Sequence, residues 1–139
     1  DTREAVCRCT ARNAAAAGVA DWVEQRCGEI QGVLRAGERF AIVIADPPYV
    51  ESADVDGFPE DPAHAIDGGE DGLDLVRTFL VAAGQHLAPG GSIVLQLGAP
   101  RQIEAVASWL RRPDAPRLAV VEQRVVGDDR SLALLQAAG

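Results

Sequence analysis

The sequence lacks the features that define membrane-spanning and disordered chains. None of its apolar runs approaches the roughly 20 residues that a helix needs to cross a bilayer. No basic start followed by an apolar stretch occurs near the N-terminus, so we expect no secretory signal. With 47% hydrophobic and 24% charged residues, the composition is close to that of a soluble globular protein. We therefore expect the 139 residues to form one domain, 1–139, around a single core.

Lysine is also absent, and all 13 basic residues are arginines. Against 21 acidic residues they leave a net charge of -8. An acidic chain repels a phosphate backbone, so nucleic-acid binding through overall charge is disfavoured. Binding of nucleic acid through a local basic patch remains an alternative.

The three cysteines, Cys7, Cys9 and Cys27, show no C-x-x-C spacing. This pattern predicts reduced thiols in a cytoplasm and no zinc site. We favour small buried apolar residues over reactive thiols as the interpretation.

The N-terminal segment has a helical pattern from its first residue. Asp1 and Glu4 predict a capping box, and Gly18 is placed to end the helix. Because the chain starts at Asp1, at the edge of a helix, we expect it to be a fragment of a longer protein.

The remaining chain alternates between strand and helix patterns. Residues 40–45 form an apolar, β-branched run that predicts a strand covered on both faces. We predict a strand at 22–27, a loop at 49–67, a helix with the apolar face Leu73, Val76, Leu80, Ala83 and Leu87, a strand at 92–97, a helix from Pro100, and strands at 118–126 and 131–135. This alternation indicates an α/β fold with a mostly parallel sheet, and the last two strands form an antiparallel hairpin.

Ligands of such sheets bind beyond the carboxyl ends of the strands. The run Asp46-Pro47-Pro48-Tyr49 follows the most hydrophobic strand, and its two prolines hold Asp46 extended. The Asp46 carboxylate and the Pro47 carbonyl make two rigid acceptors for the hydrogens of a planar NH2 group, with the Tyr49 ring beside it. A rigid turn without a ligand is the alternative.

Four segments in order resemble the HemK-type family of S-adenosylmethionine-dependent methyltransferases. They are Asp46-Pro-Pro-Tyr49, the run from Ile66 to Asp74, Leu87-Ala-Pro-Gly-Gly91 and Leu95-Gln-Leu-Gly98; Gly127-Asp128-Asp129-Arg130 is similar to the family's closing hairpin turn. The family methylates the side-chain amide of the glutamine in the Gly-Gly-Gln motif of peptide-chain release factors. The resemblance covers essentially the whole chain and implies a Rossmann-like class I methyltransferase sheet whose first two strands are missing here.

The resemblance also implies roles for individual residues. Asp1 would bind the cofactor ribose hydroxyls, Glu29 would lie near the adenine amino group, and Ile30 would pack on the adenine. Asp46, Pro47 and Tyr49 would act in catalysis, with Pro48 completing the substrate site and Asp46 also near the cofactor sulfonium. A helix cap for Asp1 and a solvated loop acid for Glu29 remain alternatives. We interpret Gly68 to Asp74 as a tight turn and helix start, and Asp128 and Arg130 as turn residues. No metal is required.

The chain departs from the family pattern at four points. Asp46 stands where the release-factor branch carries Asn, and Gln96 where glutamate is usual. The segment between Tyr49 and Gly68 is shorter than usual. No G-x-G-x-x-G-like loop occurs, so the chain as given should lack half of its cofactor pocket.

We therefore predict part of a cytoplasmic methyltransferase that acts on a protein, a release factor, and not on a membrane. Asp46 supports an alternative, an adenine amino-methyltransferase of nucleic acid. The missing glycine loop supports another, a non-catalytic remnant or interaction module.

Overall fold

The computed structural model describes residues 1–126 and 130–139. These residues form two compact units, Asp1–Glu38 and Arg39–Gly139. The predicted turn residues Gly127, Asp128 and Asp129 lie outside the described residues. The assignment of 1–139 to one domain stays a prediction. Among the described residues, no helix is both long and apolar enough to span a membrane.

The first unit contains helix α1 (Glu4–Ala16), a 3-10 helix (Ala20–Trp22) and the short helix α2 (Ile30–Val33). The prediction that Gly18 ends α1 is confirmed, because Gly18 has a φ of 71° and donates its N–H to the Ala15 carbonyl. The predicted capping box is wrong. Arg3 is the N-cap residue, and the Asp1 carboxylate accepts the Arg3 N–H at 2.9 Å instead.

The predicted strand at 22–27 is also wrong. Trp22 ends the 3-10 helix, and residues 23–27 belong to no strand of the described structure. A strand needs a neighbouring strand to satisfy its backbone groups. The next residue, Gly28, donates its N–H to the Asp1 carbonyl at 2.9 Å.

A cluster of ion pairs around Arg26 includes Glu38, the last residue of the first unit. The Arg26 guanidinium binds both carboxylate oxygens of Glu38, at 2.6 and 2.5 Å, and also contacts Glu24. Hydrogen bonding to Arg26 lowers the pKa of Glu38 to about 2, with help from the Arg35 N–H. The charged form of Glu38 therefore stabilises this unit.

The second unit is a four-stranded sheet in the order β1-β2-β4-β3. Its elements are β1 (Phe40–Ala45), a 3-10 helix (Ser52–Gly57), α3 (Ala63–Ile66), α4 (Asp74–His86), β2 (Leu87–Leu97), α5 (Pro100–Leu110), β3 (Leu118–Val126) and β4 (Arg130–Ala137). β1 and β2 are parallel, whereas β4 is antiparallel to both β2 and β3. The predicted C-terminal hairpin is confirmed. The predicted loop at 49–67 contains the 3-10 helix and α3.

Helices α4 and α5 form the core with one face of this sheet. The predicted apolar face of α4 is confirmed at Val76, Leu80 and Ala83, which are buried. Leu87, predicted to belong to the same helix, instead begins β2. Ile103 and Val106 of α5 are buried in the same cluster, which also contains Ile93, Leu95, Leu97 and Leu135. This packing fixes the carboxyl end of β2 and the start of α5, on which the candidate site depends.

The prediction that β1 is covered on both faces is wrong for the described structure. Val43 and Ala45 pack towards the core, but Ile42 and Ile44 are 68% and 79% exposed. β1 lies at the edge of the sheet and has one strand neighbour, β2. An apolar run predicts burial without saying which faces have a neighbouring element.

Candidate active site

Asp46 and Gln96 meet where the parallel strands β1 and β2 end. Ala45 is paired with Leu95 in the ladder, so the residues that follow them, Asp46 and Gln96, are neighbours. The Gln96 Nε2 group donates to Asp46 Oδ1 at 3.0 Å. No described residue donates to Asp46 Oδ2. Two departures from the family pattern that lie far apart in the sequence therefore form one hydrogen-bonded pair.

The segment after Asp46 lines a cavity of about 350 Å³. Pro47, Pro48 and Tyr49 are half-buried, while Asp46 is exposed at the cavity wall. Other parts of the lining come from the end of β2 with the start of α5, and from the segment that follows Tyr49 up to the end of α3. They include Phe58, Ala65, Ile66, Gly98, Ala99 and Gln102. The structure thus places the four predicted substrate-site residues together at one cavity.

A buried glutamine holds this segment in place. Gln102, only 5% exposed, donates from Nε2 to the Tyr49 carbonyl at 2.8 Å and accepts the Gly98 N–H at Oε1, at 2.9 Å. It is the third residue of α5, which begins at Pro100 as predicted. A glutamine at this position commonly reaches back to a backbone N–H before the helix. Sequence reasoning misses Gln102, although that signal is present in the chain.

Glycines allow close backbone approach on either side of Tyr49. Gly72 has a φ of 72°, and a Cβ there would lie 2.4 Å from the Tyr49 carbonyl oxygen. A Cβ at Gly98 would lie 3.3 Å from the Tyr49 ring. The prediction of a tight turn and helix start between Gly68 and Asp74 is confirmed, because Asp74 begins α4 and donates its N–H to the Gly68 carbonyl. The same turn therefore also confines Tyr49.

A short parallel bridge pairs Val50, which lines the cavity, with Asp67. The Asp67 carboxylate accepts hydrogen bonds from the Ser52 hydroxyl at 2.7 Å and from the Gly69 N–H at 2.9 Å. These two donors lower the pKa of Asp67. Asp67 is thus a structural carboxylate that ties the cavity wall to the turn before α4.

The cavity lining is acidic. Asp46, Glu51, Asp54 and Asp61 contribute carboxylates, and Arg101 binds Glu51 at 2.6 Å. Such a lining favours a cationic group over an anionic one. It also provides acceptors for N–H groups.

The predicted cofactor residues Asp1, Glu29 and Ile30 lie in the first unit. Asp1 and Glu29 are exposed, and Ile30 is the half-buried first residue of α2. The bond from the Gly28 N–H to the Asp1 carbonyl brings the Asp1 and Glu29 segments together. Two exposed carboxylates on adjacent segments suit a ligand that offers hydroxyl and amino hydrogens, so these residues fit the predicted nucleoside.

The sequence and the fold both resemble those of known methyltransferases. Residues 1–60 match a family described as an RMKL-like methyltransferase domain. A solved S-adenosylmethionine-dependent methyltransferase from Clostridium acetobutylicum superposes with a TM-score of 0.58 at 10% identity, over 100% of this chain and 74% of that one. The fold is therefore the predicted Rossmann-like methyltransferase fold.

Two curated relatives are more similar in sequence. The chain is 37% identical to a release factor glutamine methyltransferase from Moorella thermoacetica, over 85% of this chain and 42% of the relative. It is 38% identical to a ribosomal protein uL3 glutamine methyltransferase from Bordetella pertussis, over 66% of this chain and 32% of the relative. The chain thus spans less than half of the length of either relative.

Proposed function

We propose that this chain, which belongs to the HemK-type family of S-adenosylmethionine-dependent methyltransferases, forms part of an enzyme that methylates a glutamine side-chain amide in a protein. The observation that carries the proposal is the Asp46 carboxylate at the cavity wall, with one oxygen bound by Gln96 and the other facing no described donor. The second oxygen can therefore accept one of the two N–H groups of a planar NH2.

The chemical problem is the poor nucleophilicity of an amide nitrogen, whose lone pair is delocalised into the carbonyl. Asp46 Oδ2 and the Pro47 carbonyl would accept its two hydrogens, and the Tyr49 ring would stack on the amide plane. Fixing both N–H directions fixes the direction of the lone pair, and orientation of this kind contributes up to roughly 7–11 kcal/mol. S-adenosylmethionine, when bound, supplies the methyl group at a cationic sulfonium. The charge of Asp46 would favour that cation.

The nucleoside part of the cofactor would be bound by residues of the first unit. The Asp1 carboxylate would accept hydrogen bonds from the ribose hydroxyls, and the Glu29 carboxylate would accept one from the adenine amino group. Ile30 would contact the adenine ring. Titration of the complete gene product with S-adenosylhomocysteine tests this assignment. Absence of binding would instead support a non-catalytic remnant or interaction module.

We further propose that the methyl acceptor is the Gly-Gly-Gln glutamine of a release factor. The named relatives support a protein glutamine, and they divide between a release factor and ribosomal protein uL3. Asp46 favours adenine as a second candidate, but the net charge of -8 disfavours binding to duplex nucleic acid. We place the activity in the cytoplasm, where the three free cysteines stay reduced.

The test is Asp46→Ala in the complete gene product, with labelled cofactor and either release factor, uL3 or duplex DNA. We expect methyl transfer to the release factor and a fall in kcat of about 100-fold or more in the variant, as when an acceptor or donor at the reacting group is lost. Asp54→Ala is the matched control, because Asp54 also lines the cavity but is exposed on the 3-10 helix. Full turnover by Asp46→Ala would refute the role of Asp46.

A further inference from the structure

We propose that Gln96 is a positioning residue, which holds one oxygen of Asp46 so that the other is presented to the acceptor amide. The inference rests on the proposed function and adds to it a residue that touches neither substrate nor cofactor. It starts from the hydrogen bond between Gln96 Nε2 and Asp46 Oδ1, at 3.0 Å.

The place of Gln96 in β2 shows that it does not serve the core. Ile93, Leu95 and Leu97 are buried against the helices, whereas Val94 and Gln96 alternate with them on the other face and are half-buried. The Gln96 side chain therefore does not pack in the core, and its described hydrogen bond is the one to Asp46. Its contribution is expected at the site and not in the stability of the sheet.

The chemistry of the pair explains why an amide suits this position. An Asp carboxylate rotates about its terminal bond, and a donor from the neighbouring strand removes that freedom. The Gln amide donates without carrying a charge, so it orients Asp46 and leaves its negative charge intact. An arginine would orient the carboxylate but neutralise it. The site thus needs one amide donor and one carboxylate across the two strand ends.

This requirement predicts a reciprocal effect of substitution. Gln96→Glu places two carboxylates opposite each other, with no donor between them, so Asp46 turns away. The double variant Asp46→Asn with Gln96→Glu restores a donor and an acceptor with their positions exchanged. The introduced asparagine then donates to the introduced glutamate and still offers its own oxygen to the acceptor N–H.

The experiment compares wild type, Gln96→Glu, Asp46→Asn and the double variant of the complete gene product, with release factor as acceptor. We expect Gln96→Glu to lower kcat about 10- to 100-fold, the range for loss of a hydrogen bond to a charged group, with the KM for the cofactor changed less. The double variant should be at least about tenfold faster than Gln96→Glu. A merely structural role for Gln96 would not give this rescue.

Gln136→Glu is the matched control, because Gln136 is a half-buried glutamine of β4 that donates to the Ser92 hydroxyl at 3.0 Å, away from the cavity. It should retain wild-type kcat. Full activity of Gln96→Glu, or a double variant no faster than Gln96→Glu, would overturn the positioning role.

Failure of the proposed function gives a different result. A wild-type protein that methylates none of the acceptors would overturn both the function and the catalytic role of the pair. Thermal unfolding of the four proteins would still test the contact between residues 46 and 96. If the double variant is more stable than the sum of the two single stability changes predicts, residues 46 and 96 interact. If the stability changes are additive, the proposed contact is rejected.

Discussion

Replacing Gln102 by leucine tests whether one buried side chain holds the candidate site together. The change keeps the approximate size but removes both hydrogen bonds, leaving the buried Gly98 N–H and the half-buried Tyr49 carbonyl without their partner. An unsatisfied buried backbone group costs about 1–3 kcal/mol, with the larger value for the more buried one. We therefore expect a loss of about 2–4 kcal/mol in the free energy of unfolding. A corresponding fall in Tm is expected in thermal unfolding.

Urea and thermal unfolding of the complete gene product measure this loss. Gln102→Glu separates the two bonds, because a carboxylate still accepts the Gly98 N–H but repels the Tyr49 carbonyl, and only a protonated Glu can donate to it. Its deficit should therefore shrink at low pH, whereas that of Gln102→Leu should not. Gln85→Leu, at an exposed glutamine of α4, is the control and should stay within about 0.5 kcal/mol of wild type. A similarly small effect for Gln102→Leu would refute the reasoning.

Two further substitutions test other parts of the structure. Because Arg26 lowers the pKa of Glu38 to about 2 from 4.5, ionised Glu38 stabilises the fold above about pH 4.5, and this contribution is lost as the pH falls towards 2. Wild type should exceed Glu38→Gln in urea midpoint at neutral pH, with the difference closing through that window; a difference that widens as the pH falls would contradict it. Gly72→Ala should destabilise by more than about 1 kcal/mol, because it strains a positive φ and brings Cβ against the Tyr49 carbonyl. Gly57→Ala, which meets nothing within 4 Å, should be close to neutral in the same denaturant titration.

Local chemistry makes several elements predictable from the sequence. The end of α1 follows from Gly18, the start of α5 from Pro100, and the α4 face from the spacing of Val76 and Leu80. Strand β3 occupies the predicted residues, 118–126. In each case the signal lies within a few residues of the structure that it produces. The run Asp46 to Tyr49 stands out for the same reason, since its rigidity is local.

Features that depend on a distant partner are not predictable in this way. Residues 22–27 have a strand-like composition, but composition does not supply a neighbouring strand. Ile42 and Ile44 have the pattern of a buried strand but are exposed, because they lie on the face of β1 opposite to Val43 and Ala45, which pack towards the core. In the sequence Gln96 is only a departure from a family pattern, and its contact with Asp46 gives that departure a physical meaning.

The sheet order also has a consequence for the way the protein folds. Gln96 and Arg101 each contact a residue 50 positions earlier, Asp46 and Glu51, and Gln102 contacts Tyr49 53 positions earlier. Closing loops of this length requires chain entropy to be lost before any contact at the site forms. The β3–β4 hairpin can form early from residues close in sequence, but it contributes none of these side chains. We therefore expect the cavity to appear late in folding, together with the pairing of β1 and β2.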